Sequence, residues 1–320
     1  SRGLGDVYKR QIWYRNTHRM KISTIALSAS LITIQSHMGT SYTTTPTIAT
    51  PILSFPVATR DGNCYKHTMK CRVFLSLLSA ALILSISTGC IISHCTTPGD
   101  GTAPASAVRP GLEGELKKDV RYLAKTCHPR PAGYEKNQAK AVEYIARSLA
   151  DTGAKVTCQP FTADKRTFVN VSAVFPGKSA KRVIVGAHYD TCGDTPGADD
   201  NASGVAGLLA LGRMLKGISP QYTIELIAYA NEEPPYFATE HMGSAQHAQK
   251  LYTEQIGVKA MICLEMIGYF SDKENSQTYP GPGMGTLYPD KGNFIAIVGN
   301  WNSVRLSRDI QKSMRPFLPT

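Results

Sequence analysis

The sequence predicts an α/β domain: a mixed, largely parallel central sheet with helices on both faces. Three observations support this. From residue 111 to 320, apolar or alternating runs of strand length take turns with longer stretches of helical period. Three of the apolar runs stop in histidine or acidic residues, as strands do where a sheet offers its carboxyl ends to a ligand. With 42% hydrophobic residues in 320, the chain can fill a sizeable core, in one large domain or two small ones.

In chain order, residues 112–126 and 137–151 carry helical periodicity, the second closed by Gly153. Runs 155–161 and 168–175 read as strands, and Arg182–His188 as a strand buried on both faces. Ser203–Lys216 reads as a helix, Thr223–Ala230 as a strand and His241–Thr253 as a helix. Ala260–Met266 and Phe294–Gly299 read as further strands, and Val304–Met314 as a helix. There is no internal repeat and no Gly-rich phosphate loop.

The formal charge of +11 suggests a nucleic-acid or membrane partner until its distribution is examined. Residues 1–90 hold 10 of the 35 Lys/Arg and 2 of the 24 Asp/Glu, which leaves a net charge of only +3 on 91–320. Without a basic face or interleaved aromatics in that region, nucleic-acid binding is disfavoured. The basic excess belongs to a leader. Met69–Cys90, MKCRVFLSLLSAALILSISTGC, has a short basic start, an apolar run and small residues before Cys90, the architecture of an export signal.

That leader resembles those of bacterial lipoproteins, with Ser87 where the pattern usually has Leu. It implies export to a periplasm or cell envelope, with either lipid attachment at Cys90 or ordinary cleavage. Residues 1–68 then lie upstream of the protein, and SRGLGDVYKRQ resembles translated adapter sequence. Residues 91–110, rich in Gly, Pro, Ser, Thr and Ala, read as a flexible tether, and 111–320 as the catalytic domain. Of the eight cysteines, Cys95, Cys127, Cys158, Cys192 and Cys263 follow the leader; an odd number is not a disulfide framework, although one bridge is open.

The chemistry lies at the strand ends. VIVGAHYDT closes on His188 and Asp190, IELIAYANEEP on Glu232 and Glu233, and KAMICLEMIGY near Glu265, while PGADDNASG places Asp199 and Asp200 before a helix. Each fragment alone has a plain reading: a satisfied histidine, a solvated acidic loop, a helix cap, a salt-bridged strand residue. Together they put several acidic groups where burial is costly unless a cation compensates them.

In order and spacing this set resembles the M28 family of zinc exopeptidases, whose pattern runs HxD, DDxxSG, EE, a later Asp or Glu, and a final His. The likeness covers roughly residues 110–320. It implies two zinc ions bridged by Asp200, one also held by His188 and Glu265 and the other by Glu233. It further implies Glu232 as general base, Asp190 as the partner of the His188 ring, and an unusual, cis-type peptide between Asp200 and Asn201. The activity implied is aminopeptidase hydrolysis of peptides. The alternatives are a glutaminyl cyclase-like transferase and an inactive envelope binding module of the same fold.

The family's final His is the departure. The last histidine here is His247, and 266–320 contain none, so a domain lacking its C-terminal part is expected, with weakened binding of the second zinc and doubtful activity. His241 reads as decoration of a helix rather than a substitute ligand. Tyr236 and Phe237 read either as a wall of the specificity pocket or as packing of their own loop.

Overall fold

The computed structural model describes residues 90–95, 109–278, 284–286 and 288–317. The leader before Cys90 and the tether over 96–108 lie outside the described residues. In chain order the elements are β1 (Cys90–Cys95), α1 (Leu112–Arg121), a π-helical turn (Tyr122–Thr126), α2 (Glu135–Ala150), β2 (Lys155–Ala163), β3 (Arg166–Phe175) and β4 (Ser179–His188). There follow α3 (Ala202–Leu215), β5 (Tyr222–Tyr229), α4 (Gly243–Thr253), β6 (Val258–Cys263), β7 (Ile295–Asn300) and α5 (Val304–Met314).

Five strands form the central sheet in the order β2-β3-β5-β4-β6. β4 is parallel to both β5 and β6, whereas β3 is antiparallel to its neighbours β2 and β5, so β3 alone opposes the other four. The sheet is therefore mixed and largely parallel in direction. Because side chains alternate along a strand, its two faces read separately. Val183, Val185 and Ala187 of β4 with Leu226 and Ala228 of β5 meet Leu123, Ile145, Leu149, Leu208 and Leu209 from the helices on one face. On the other face Ile184, Ile227 and Tyr229 pack under Leu251 of α4. Both faces carry helices, as the sequence implied.

Three expectations are corrected. Residues 91–95 are not tether: they belong to β1, whose CIISHC pairs antiparallel with β7. The Gly/Pro/Ser-rich composition that suggested a tether begins only after them. β7 consequently lies in a separate two-stranded sheet, where Ile297 packs on Ile310 and Met314 of α5. Finally, β6 stops at Cys263 rather than Met266, which turns away with a left-handed φ of 46°.

A buried polar cluster sits on the α4 face. Glu225 of β5 accepts from Ser172 Oγ of β3 at 2.6 Å and from Arg182 Nη1 of β4 at 2.6 Å, and lies 3.3 Å from His247 Nε2 of α4. His247 Nδ1 in turn lies 3.0 Å from the Tyr229 hydroxyl. Burial alone would raise the Glu225 pKa, but His247, Ser172 and Arg182 outweigh it and hold it at about 2.

Candidate metal centre

The order β5-β4-β6 sets three parallel carboxyl ends side by side, with β4 in the middle. His188 is the last residue of β4, the acidic pair Glu232 and Glu233 follows β5, and Glu265 follows β6. Asp200 enters from the turn before α3. His188 Nε2 lies 3.2 Å from Asp200 Oδ1, 3.4 Å from Glu265 Oε2 and 3.8 Å from Glu232 Oε2. Its other nitrogen, Nδ1, lies 3.4 Å from Asp190 Oδ1. The side chains expected to share one site thus surround one imidazole ring.

Their supports come from hydrogen bonds with both backbone and side chains. Asp190, 1% exposed, accepts the N–H of Glu232 at 3.1 Å and that of Glu233 at 3.0 Å, so one carboxylate fixes the acidic turn while facing the His188 ring. Asn201, joined to Asp200 by a cis peptide, donates through Nδ2 to Glu265 Oε2 and to the Leu264 carbonyl, both at 2.8 Å. Its Oδ1 accepts from Gly204 at 3.0 Å, capping α3, and from Met266 at 3.2 Å. Only glycine allows this approach: a Cβ on Gly204 would stand 2.4 Å from Asn201 Oδ1 and 2.5 Å from the Leu264 carbonyl oxygen.

Asp199 takes a different part from Asp200. It accepts from Gly268 N at 2.8 Å and from Ser203 Oγ at 3.2 Å, tying the segment after β6 to α3. The sequence signals the cis peptide before Asn201 but not the side-chain roles of Asn201 and Ser203, although both stand inside the DDNASG motif. Arg130 was also missed, and nothing in the sequence around it signals the site. Its buried guanidinium grips the Tyr189 carbonyl from Nε at 2.7 Å and the Gly197 carbonyl from Nη2 at 3.1 Å.

Tyr236 is 3% exposed and stacks edge-on against Phe168 at 5.5 Å and His241 at 6.0 Å, so it packs its loop, whereas Phe237 is 58% exposed. His241 stands with Tyr236, and α4 begins after it at Gly243. Cys127, Cys158, Cys192 and Cys263 are all free thiols.

The electrostatics are those of a site that calls for a cation. Burial opposes charge on His188, yet Asp190, Asp200 and Glu265 outweigh it and raise its pKa well above the usual value. Burial, then repulsion from Asp200, pushes Glu233 up to about 7. Burial likewise raises Glu232, with Glu265, Asp190 and Asp200 adding to the rise and His188 opposing it. The ligand-type atoms of His188, Asp200 and Glu265 lie within 4.8 Å of one another, as do those of His188, Glu232 and Glu233. One imidazole with carboxylates at such spacing is a donor set suited to zinc.

Residues 170–286 match the profile described as Peptidase family M28. The chain is 43% identical over 217 residues to "Uncharacterized protein YfbL" of Escherichia coli (strain K12), covering 65% of this chain and 66% of that protein. It is 32% identical over 197 residues to a "Probable leucine aminopeptidase" of Trichophyton verrucosum, covering 55% of this chain and 50% of that one. The chain therefore spans less than two thirds of the first and half of the second.

Among solved structures, a zinc aminopeptidase from Bacillus subtilis is similar with a TM-score of 0.45 and 15% identity, covering 51% of this chain and 71% of that one. A glutaminyl cyclase from an Acidobacteriales bacterium is similar with a TM-score of 0.44 and 23% identity, covering 55% and 67%.

Proposed function

The chain belongs to peptidase family M28, and from that premise we propose that it is the catalytic region of a zinc-dependent aminopeptidase. The observation that carries the reading is His188 Nε2 facing Asp200, Glu265 and Glu232 within 3.8 Å, where three neighbouring strand ends meet the turn before α3. In this assignment His188, Asp200 and Glu265 would hold one zinc ion, with Glu233 and Asp200 available to a second. Bound zinc acidifies a coordinated water and polarises the carbonyl of the scissile peptide bond.

The chain's own residues do the rest. His188 offers Nε2 to a metal only when Nδ1 keeps its proton, and Asp190, locked by two backbone amides, is the acceptor placed to hold that tautomer. Glu232 accepts the proton of the attacking water and delivers it to the leaving amine. Its raised pKa brings the carboxylate nearer the working range of a general base. Geometry alone also puts Glu232 within reach of a cation, beside His188 and Glu233. A Glu232→Gln variant separates the roles: a base is lost with zinc retained, whereas a ligand is lost together with zinc.

The leader-like Met69–Cys90 supports export to the cell envelope, and lipid attachment at Cys90 would put the anchor at the first residue of β1. Among the described residues, no helix is long and apolar enough to cross a membrane. A substrate panel tests the activity. Release of free amino acids from the N-termini of peptides supports the assignment, and loss of ammonia from N-terminal glutamine would replace it with cyclisation.

A further inference from the structure

We propose that Arg130 is a positioning residue of the metal centre: its buried guanidinium clasps the Tyr189–Asp200 loop at Tyr189 and again at Pro196 and Gly197, and so sets where Asp190 and Asp200 face His188. The inference rests on the reading of His188, Asp200 and Glu265 as zinc ligands. Arg130 is 0% exposed and lies between α1 and α2, outside the strand ends that form the site. Its Nε donates to the Tyr189 carbonyl at 2.7 Å, next to Asp190. Nη1 donates to the Pro196 carbonyl at 3.1 Å and to the Leu123 carbonyl of the π-helical turn, and Nη2 to the Gly197 carbonyl at 3.1 Å. The backbone closes the grip, since the Arg130 N–H donates to Thr191 Oγ1 at 3.2 Å and the Arg130 carbonyl accepts from Gln138 at 3.1 Å.

A buried charge is expensive, and these partners are neutral carbonyls; burial works against the guanidinium charge, while Cys127 and then Asp190 and Asp200, the residues whose loop it holds, favour it. The planar fork also directs its donors along fixed lines, so a single side chain anchors the loop at 189 and again at 196–197. The loop closes tightly around it. Gly197 has φ +56°, and a Cβ there would stand 2.9 Å from Arg130 Nη2, 2.4 Å from the Asp200 carbonyl oxygen and 2.3 Å from Thr191 Cγ2.

The test is the zinc dissociation constant, measured by competition with a chromophoric chelator and paired with a thermal melt for each variant. Arg130→Lys keeps the charge without the fork, and Arg130→Met keeps neither; both should weaken zinc binding by about tenfold or more, as loss of an outer support does. Leu149→Ala, a cavity in the core away from the site, should lower the melting temperature and leave zinc affinity unchanged. Folded Arg130 variants that bind zinc as tightly as the parent overturn the inference. Should they fail to fold, Gln138→Leu decides, because it removes the donor that holds the Arg130 carbonyl without touching the loop itself: weakened zinc supports the clasp and unchanged zinc overturns it. A parent chain that binds no zinc, or a His188→Ala variant that binds it equally well, overturns the reading of the site and this inference with it.

Discussion

The Asp190 carboxylate receives the backbone N–H of Glu233 at 3.0 Å while its other oxygen lies 3.4 Å from His188 Nδ1, so one buried group couples the imidazole to the acidic turn. Asp190→Asn keeps the shape but replaces one acceptor oxygen with a donor. The Glu232 or Glu233 amide then loses its partner, and an NH2 or an uncharged oxygen faces Nδ1. Zinc affinity should fall by roughly 10- to 100-fold with the fold retained, read by chelator competition and circular dichroism.

Glu232 is assigned to proton transfer rather than to holding metal. Glu232→Gln should lower kcat by about two to four orders of magnitude on an aminoacyl anilide, with zinc content as in the parent. Zinc lost in step with activity would move Glu232 into the ligand set.

Asn201 joins α3 to the end of β6 through four hydrogen bonds, two given and two accepted. Asn201→Ala removes the cap and leaves the buried Leu264 carbonyl without this donor. A loss of roughly 2–4 kcal/mol is expected by denaturant melts, with weaker zinc binding because Glu265 is no longer steered.

The Glu225 cluster predicts acid sensitivity away from the metal site. Its pKa falls from an ordinary 4.5 to about 2 on folding, worth roughly 3 kcal/mol. Because the folded value is the depressed one, this contribution is complete above about 4.5 and is lost as pH falls toward 2. Melts of Glu225→Gln should show lower stability at neutral pH and a flatter dependence across that window. An unchanged acid slope would mean that the cluster does not hold its charge.

Much of this was legible in the chain because strand ends and metal ligands coincide. VIVGAHYDT and IELIAYANEEP are apolar runs that stop where their polar residues must meet something charged, and the structure brings His188, Asp200, Glu232 and Glu265 together there. The reversed direction of β3 was not legible, since an apolar alternation carries no sign of which way a strand runs. Nor was β1, whose partner β7 lies some two hundred residues away and whose composition blends into the Gly/Pro-rich stretch after it. Arg130 escaped notice for a similar reason. Its acceptors are backbone carbonyls, which every residue type supplies, so its role appears only once the loop has closed around it.

The central claim, that a divalent cation sits among these strand ends, is tested most directly by titrating purified metal-free protein with zinc alongside His188→Ala and Asp200→Asn. The account predicts tight binding of one equivalent of zinc by the His188, Asp200 and Glu265 group of the parent and its loss in both variants, with circular dichroism spectra unchanged. Binding of equal strength in parent and variants, or none in a folded parent, would contradict it.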